Sequence, residues 1–98
     1  MRVIFHSEAD QELTEARDWY EERSVLAAQA FELELEIDHA IRAISEAPLR
    51  WPQVKRGERR FVLDRFPYTV LYRVRADHVF ITAVAHQSRR PGYWRHRK

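Results

Sequence analysis

The stretch from Arg59 to His86 constrains the fold more than any other part of this chain of 98 residues. It contains three consecutive runs rich in Val, Ile, Phe, Tyr and Thr: residues 59–65, 66–75 and 79–86. A bend at Pro67 separates the first two runs, and a short turn at residues 76–78 separates the second from the third. Strand-forming residues interrupted by turns at this spacing predict a three-stranded antiparallel β-meander.

The middle run has two different faces, because successive side chains of a strand point to opposite sides of the sheet. One face is apolar and is predicted to lie in the core: Tyr68, Val70, Tyr72 and Val74. The other face is mixed and ends in arginine: Thr69, Leu71, Arg73 and Arg75. We therefore expect a half-open sheet whose free, arginine-bearing face is a candidate working surface.

An opening strand and a first helix are expected before the meander. The short apolar run Val3–Phe5 predicts a strand that joins the sheet. Ser7 with Asp10 resembles a capping box, which places the start of a helix at about Glu8. The charged segment 21–24 is expected to end this helix.

The second helix is expected to be longer and to carry apolar side chains on two sides. Ser24 is its predicted N-cap, and Pro48 stops it after Ala47. One wide stripe at helical spacing is predicted to face the core: Leu26, Ala30, Leu33, Ile37, Ala40, Ile41 and Ile44. Phe31 and Leu35 lie nearly opposite this stripe, so either the first helix or a partner protein is expected to cover them.

Together these elements predict a single α+β domain over residues 1–98. It consists of an N-terminal strand, a helical hairpin and the three-stranded antiparallel meander, in one sheet packed by the helices. Residues 48–57 are expected to be a loop because they contain two prolines and a glycine. Residues 87–98 are expected to form a basic tail.

Composition excludes several classes of protein. The chain has no cysteine, so it has neither a disulfide framework nor thiolate ligands for zinc. Its five histidines show no paired spacing on a helix face, so we expect no metal site and no cofactor. No apolar run has membrane-spanning length and the first residues do not resemble a signal peptide, so we expect a cytoplasmic protein with no membrane partner.

The formal net charge of +2 conceals a strong asymmetry along the chain. Residues 1–47 contain four arginines and 12 acidic residues, a charge of −8. Residues 48–98 contain 13 basic and three acidic residues, a charge of +10. Such asymmetry points to a polyanion as the partner of the basic half, or to two halves that neutralise each other within the fold.

Short motifs in a fixed order run along nearly the whole chain. They are Phe5-His6-Ser7-Glu8-Ala9, Trp19-Tyr20, Pro48 with Trp51-Pro52, Arg60, Phe66-Pro67-Tyr68 with Leu71-Tyr72, and Ala83-Val84-Ala85-His86 followed by Arg89-Arg90-Pro91-Gly92-Tyr93-Trp94. In this order and at this length they resemble the RelE/ParE superfamily of bacterial toxins from type II toxin–antitoxin modules. The resemblance implies a plasmid-stabilising, growth-inhibiting toxin. It also implies a cognate antitoxin, encoded beside the toxin, that neutralises it in a heterotetramer or larger complex.

The superfamily includes ribosome-dependent ribonucleases that cut messenger RNA without a metal. The 2′-hydroxyl attacks the neighbouring phosphate, which requires a base, cations for the phosphorane and an acid for the leaving oxygen. The resemblance implies these candidate catalytic residues, with the histidine as a substitute base or acid: Arg60, His86, Arg89 and Tyr93. Val62 and Thr69 stand where further basic residues are expected, so the alternatives of enzyme and non-enzyme stay open.

The ParE branch of the superfamily poisons DNA gyrase, and the two missing basic positions favour this branch. Candidate contacts with the target or with nucleic acid are Arg65, Arg90, Trp94 and Arg95. Packing of Trp94 onto the sheet is the alternative for that residue. Phe31 and Leu35 are the candidate antitoxin contacts. A non-toxic protein that binds nucleic acid or an antitoxin is the alternative of another class.

Overall fold

Two helices and five strands follow one another in the computed structural model, which describes residues 1–98. In chain order they are β1 (Arg2–Phe5), α1 (Ser7–Glu21), α2 (Ala27–Glu46), β2 (Gln53–Lys55), β3 (Glu58–Val62), β4 (Tyr68–Val74) and β5 (His78–His86). The strands form one sheet in the order β1-β5-β4-β3-β2. β1 pairs parallel with β5, and the other neighbours are antiparallel. The predicted α+β class, with the helical hairpin between the first strand and the meander, is confirmed.

The sheet has one strand more than predicted. β2 lies inside the segment expected to be a loop, and it pairs antiparallel with β3 through a hairpin. Gly57 makes this hairpin because its φ of +77° is a conformation that residues with a Cβ rarely adopt. The first strand of the meander is also shorter than expected. It ends at Val62, because the following residues turn towards Pro67 rather than extend.

Both helices begin at different residues from those predicted. His6, not Ser7, is the N-cap of α1, and its Nδ1 accepts a hydrogen bond of 3.0 Å from the N–H of Glu8. The backbone N–H of His6 is already bound to the carbonyl of Ile81 at 2.9 Å, which fixes His6 at the junction between β1 and α1. Helix α2 starts at Ala27, after a turn, and has no side-chain cap.

The helices cover one face of the sheet and bury the main core. The predicted α2 stripe is confirmed at five positions: Ala30, Leu33, Ile37, Ala40 and Ile44. These side chains join apolar residues of α1 and of strands β4 and β5 in one cluster of 15 buried residues. Tyr72 of β4 lies fully inside this cluster and donates a hydrogen bond of 2.7 Å to the carbonyl of Pro48. The helical hairpin is thus fixed to the sheet on this side.

Residues 87–98, which we call the C-terminal strap, cross the opposite face of the sheet. Trp94 packs there in a small cluster with Leu71, Ala83 and Ala85. Arg73, expected on a free face, donates hydrogen bonds to the carbonyls of Arg95 and Arg97 at 3.2 and 3.0 Å. The expectation of a half-open face with a free tail is therefore wrong for this part of the sheet. Neither α1 nor α2 combines the length and apolarity that crossing a membrane would require.

Candidate functional site

His86 ends β5 and occupies the centre of the candidate site. It lies opposite Tyr68 in the β4–β5 register, and the two rings meet edge to face with centroids 5.1 Å apart. Its Nδ1 accepts a hydrogen bond of 3.0 Å from the N–H of Ser88 and lies 2.7 Å from the hydroxyl of the same residue. An accepting Nδ1 places the proton of the neutral ring on Nε2. The site therefore presents a fixed imidazole with an N–H donor.

A groove of about 340 Å³ opens beside His86 on the strap side of the sheet. We call it the basic arm, and its charged and polar lining residues are Arg60, Thr69, His86, Gln87, Arg89 and Arg95. Arg60 is exposed and makes no ion pair, whereas Arg95 has its Nε 3.7 Å from Glu58. The fold thus brings together Arg60, His86, Arg89 and Arg95, which were predicted as site residues from separate parts of the sequence.

A second cavity, of about 410 Å³, opens on the helix side of the same strand end. We call it the aromatic arm, and its ring-bearing and acidic lining residues are Trp19, Tyr20, Tyr68, His86, Glu12 and Glu15. Burial raises the pKa of both Tyr20 and Tyr68, so these phenols stay neutral at physiological pH. His86 and Arg89 line both cavities, so the two arms meet at these residues.

Glu12, which the sequence reasoning missed, joins α1, β5 and the C-terminal strap. Its Oε1 accepts hydrogen bonds from the N–H of Val84 at 3.0 Å and from Nη1 of Arg97 at 2.9 Å. Its Oε2 accepts from Nη2 of Arg97 at 3.1 Å and from the hydroxyl of Tyr93 at 2.5 Å. Arg97 also donates to the carbonyl of Thr82 at 3.0 Å. An ion pair between two nearly buried side chains therefore pins the strap to the sheet.

The position of this ion pair follows from the length of β1. The pairing of β1 with β5 ends at Phe5 opposite Ile81. Beyond that point, the backbone groups on this edge of β5 have no strand partner, and unpaired groups cost free energy when they are buried. Glu12 and Arg97 bind two of them, at Val84 and Thr82. One signal in the sequence marks Glu12, since it lies at helical spacing within the apolar stripe of α1.

Tyr93 belongs to the Glu12 cluster rather than to the lining of either arm. Burial, followed by its hydrogen bond to Glu12, raises its pKa well above the ordinary range of a phenol. The guanidinium of Arg89 lies over its ring at 3.8 Å from the centroid. The phenol is thus a fixed, protonated donor whose hydrogen is already engaged.

Trp94 lies under the strap, not on its surface. It is 8% exposed, and its indole N–H donates to Oε2 of Glu58 at 2.7 Å. Glu58 is a second buried acid that the sequence reasoning missed. The packing alternative for Trp94 describes its position, although the small part of the side chain that stays exposed contributes to the lining of the basic arm.

The remaining predicted residues lie apart from the two arms. Arg65 lines a cavity of about 370 Å³ beside α2, together with Leu35, and its backbone N–H donates to Glu36 at 3.1 Å. Arg90 is exposed on the strap and lines neither arm. Phe31 and Leu35 remain 63% and 53% exposed on α2, so α1 does not cover them.

A family model described as the ParE toxin of the type II toxin-antitoxin system parDE matches residues 3–91. A solved structure described as the chromosomal ParDE TA system from P. aeruginosa is similar, with a TM-score of 0.75 and 18% sequence identity. The match covers 88% of this chain and 95% of that chain, and at this identity it shows a shared fold alone. No curated protein matches this chain.

Proposed function

Because this chain belongs to the ParE toxin family of type II toxin–antitoxin systems, we propose that it is the toxin of such a module, that it arrests growth by acting on DNA gyrase, and that a cognate antitoxin neutralises it. The observation that carries the proposal is the extent of the family match. It runs from Val3 in β1 to Pro91, past β5, and so includes both helices, nearly all of the sheet, the whole aromatic arm and the basic arm apart from Trp94 and Arg95. Gyrase is a cytoplasmic target, which places the action of the toxin in the cytoplasm.

The test measures growth and supercoiling with the same protein. Inducing the chain alone should stop growth, and inducing it with the product of the neighbouring gene should restore growth. The purified chain should inhibit DNA supercoiling by purified gyrase. Normal growth in cells that contain the soluble protein, or full gyrase activity in its presence, would contradict the proposal.

The exposed face of α2 is the best candidate for the antitoxin contact. Phe31 and Leu35 lie one helical turn apart on this face. The cavity beside Leu35 is also lined by Glu32, Glu36 and Phe61. Apolar side chains framed by carboxylates favour a partner segment that presents apolar residues flanked by lysine or arginine. We place the antitoxin on this face, in a complex expected to be a heterotetramer or larger.

Substitution on this face separates toxicity from neutralisation. The double variant Phe31→Ala/Leu35→Ala should remain toxic and should escape rescue by the antitoxin. Leu49→Ala is a matched control, because Leu49 is equally exposed but lies outside α2. Light scattering on the purified complex gives its stoichiometry. Rescue of the double variant as complete as that of the control would place the antitoxin elsewhere.

One observation favours a second candidate function, cleavage of messenger RNA on the ribosome. Arg60, His86 and Arg89 line the same groove, as the cations and the acid of such a site would. In that reaction a bond forms between the 2′-oxygen and phosphorus while the bond to the 5′-oxygen breaks. The Nε2–H of His86 is suited to give the leaving oxygen its proton. Besides His86, the basic groups of the groove are the guanidiniums of Arg60, Arg89 and Arg95, which stay protonated, so none of them can take the proton of the 2′-hydroxyl.

The two candidates give different molecular records in the same cells. New messenger RNA 5′ ends that are phased to codons, and absent with Arg60→Ala/His86→Ala/Arg89→Ala, would establish the ribonuclease. Growth arrest with a DNA-damage response and without new ends would establish the gyrase-directed toxin.

A further inference from the structure

The aromatic and basic arms adjoin each other at His86 and Arg89, which line both of them, and together we call them the cleft. Each arm, at about 410 and 340 Å³, lies within the range of small-ligand sites. We propose that this cleft binds single-stranded nucleic acid, with one base in the aromatic arm and the adjoining phosphates along the basic arm.

The aromatic arm has the surface that an unstacked base requires. Trp19 is 47% exposed, with the guanidinium of Arg23 3.9 Å from its ring centroid and its ring in an edge-to-face contact with Tyr20 at 4.9 Å between centroids. Tyr68 forms another wall and is held by its edge contact with His86. Bases stack on such side chains with little sequence preference, because every base presents a π-face. A large, exposed indole beside two fixed rings therefore favours a base over an aliphatic side chain.

The basic arm has the charges that a phosphate chain requires. Arg60 is free of any ion pair, and the side chain of Arg89 is half exposed although its guanidinium lies 3.4 Å from Glu12. Arg95 adds a third guanidinium, and the Nε2–H of His86 adds a donor where the arms meet. Guanidinium groups bind phosphate oxygens in a bidentate manner and release counterions when they do so.

The acids in the aromatic arm fix the orientation of the strand. Glu12 is saturated by Arg97 and Tyr93, and Glu15 accepts a hydrogen bond of 3.0 Å from Gln11 at the rim. Two carboxylates repel a phosphate, but they do not repel a neutral base, so the base occupies this arm and the phosphates occupy the other. A basic peptide has the charge to bind the acids of the aromatic arm, but the three arginines of the basic arm repel it.

A single strand fits the cleft better than a duplex. A base must leave its stack and its pair to enter a pocket, which costs least when it is already unpaired. The inference rests on the geometry of the cleft and requires neither gyrase nor the ribosome. It therefore stands or falls separately from the proposed function.

The experiment measures binding of the whole chain to labelled oligonucleotides by fluorescence anisotropy. The probes are strands of about 12 nucleotides of deoxythymidine or of uridine, a length typical of such sites. A third probe is an abasic strand with the same number of phosphates. Intrinsic tryptophan fluorescence is recorded with unlabelled strands, because a base that stacks on Trp19 should quench it.

The proposal predicts different losses in the two arms. Trp19→Ala should weaken binding of the strands with bases about tenfold or more and leave the abasic strand unchanged, whereas Trp19→Phe should restore part of the loss. Arg60→Ala should weaken all three probes and lower the slope of affinity against salt by about one. The matched controls Leu49→Ala and Arg42→Ala change exposed residues that line neither arm, and they should change neither quantity.

Three outcomes would overturn the proposal. The first is equal affinity for the abasic strand and the strands with bases. The second is an equal loss of affinity with Leu49→Ala and Trp19→Ala. The third is a basic peptide that binds the aromatic arm while no oligonucleotide binds. Equal binding of DNA and RNA supports a site for any single strand. A preference for the uridine strand supports the same site with RNA as its source.

Discussion

The two faces of the sheet are held by different forces. The helix side buries a continuous cluster of 15 residues, whereas the strap side buries four. On the strap side, the segment is attached mainly by polar links: Arg97 to Glu12, Trp94 to Glu58, and Arg73 to two strap carbonyls. The hydrophobic core therefore lies on the helix side, whereas the strap side has only a small apolar cluster, covered by a segment that polar contacts hold in place.

The difference predicts two levels of stability within one domain. Burial of apolar area is the dominant favourable term in folding and involves many residues together. A hydrogen bond contributes about 1 kcal/mol net, because its groups bind water when it is broken. The strap can therefore detach while the helix side stays folded, which would widen the basic arm that it borders.

The largest effect is expected in the helix-side core. Leu33→Ala should lower the free energy of unfolding by about 3 kcal/mol, because the Leu33 side chain is fully buried and its truncation leaves a cavity between α2 and the sheet. Urea unfolding measures the change. Leu35→Ala is the matched control, since its side chain on the same helix is half exposed and should change stability by less than about 1 kcal/mol. Equal losses in the two variants would contradict the assignment of the core face.

A smaller effect is expected at alkaline pH, and it reports on the same core. Burial raises the pKa of Tyr72 from 10.0 to about 12. Folding therefore favours the protonated phenol, so its contribution is complete below pH 10 and is lost as the pH rises towards about 12. A pKa of about 12 in place of 10.0 corresponds to a loss of about 2.7 kcal/mol. The free energy of unfolding, measured with urea across this pH range, should decline less steeply for Tyr72→Phe than for the wild type. An unchanged decline would refute the assignment to Tyr72.

Glu12→Gln should release the strap at a modest global cost. We expect about 1.5 kcal/mol rather than the 3–5 kcal/mol typical of a broken buried pair, because Arg97 can reach water when the strap detaches. Hydrogen exchange in residues 87–98 should rise, while exchange in α2 stays slow. Glu15→Gln, one helical turn away and exposed, should have neither effect. Protection of the strap in Glu12→Gln would show that the ion pair does not hold it.

The smallest effect is expected at the β-bulge in β5. Thr82 is the extra residue of β5 opposite the step from Leu71 to Tyr72, and its hydroxyl donates to the carbonyl of Leu71 at 3.1 Å. Thr82→Val keeps the shape and removes the donor, so it should lower the free energy of unfolding by about 1 kcal/mol. Urea unfolding checks this, with Thr14→Val on the exposed side of α1 as the control.

Sequence reasoning succeeded where a residue is placed by its near neighbours in the chain, and it failed where a residue is placed by contact with another segment. Alternation within the middle strand identified the core face, since each side chain needed only its own neighbours to be placed. β2 was missed because its three residues adjoin Pro52 and Gly57 and form a strand only by pairing with β3. Ser7 was preferred as the N-cap by local rules, but the bond between His6 and Ile81 set the start of α1.

The candidate site divides in the same way. The order of the motifs was enough to single out Arg60, His86 and Arg89, and β3, β5 and the strap bring them to one groove. The place of Glu12 within the apolar stripe of α1 marks it as unusual, but this local signal does not indicate its partner. Its partner Arg97 is 85 residues away, and burial of an acid is favourable only where such a partner meets it.

Periodicity, charge and turn residues are properties of short segments, so the chain alone fixed the class of fold, the core stripe of α2 and the split between acidic and basic halves. The closing of the strap over the sheet, the pairing of Glu12 with Arg97 and the meeting of the two arms at His86 depend on contacts between distant segments. Such contacts form only when the whole sheet has assembled, because the free energy that holds them comes from burying groups that are far apart in the chain.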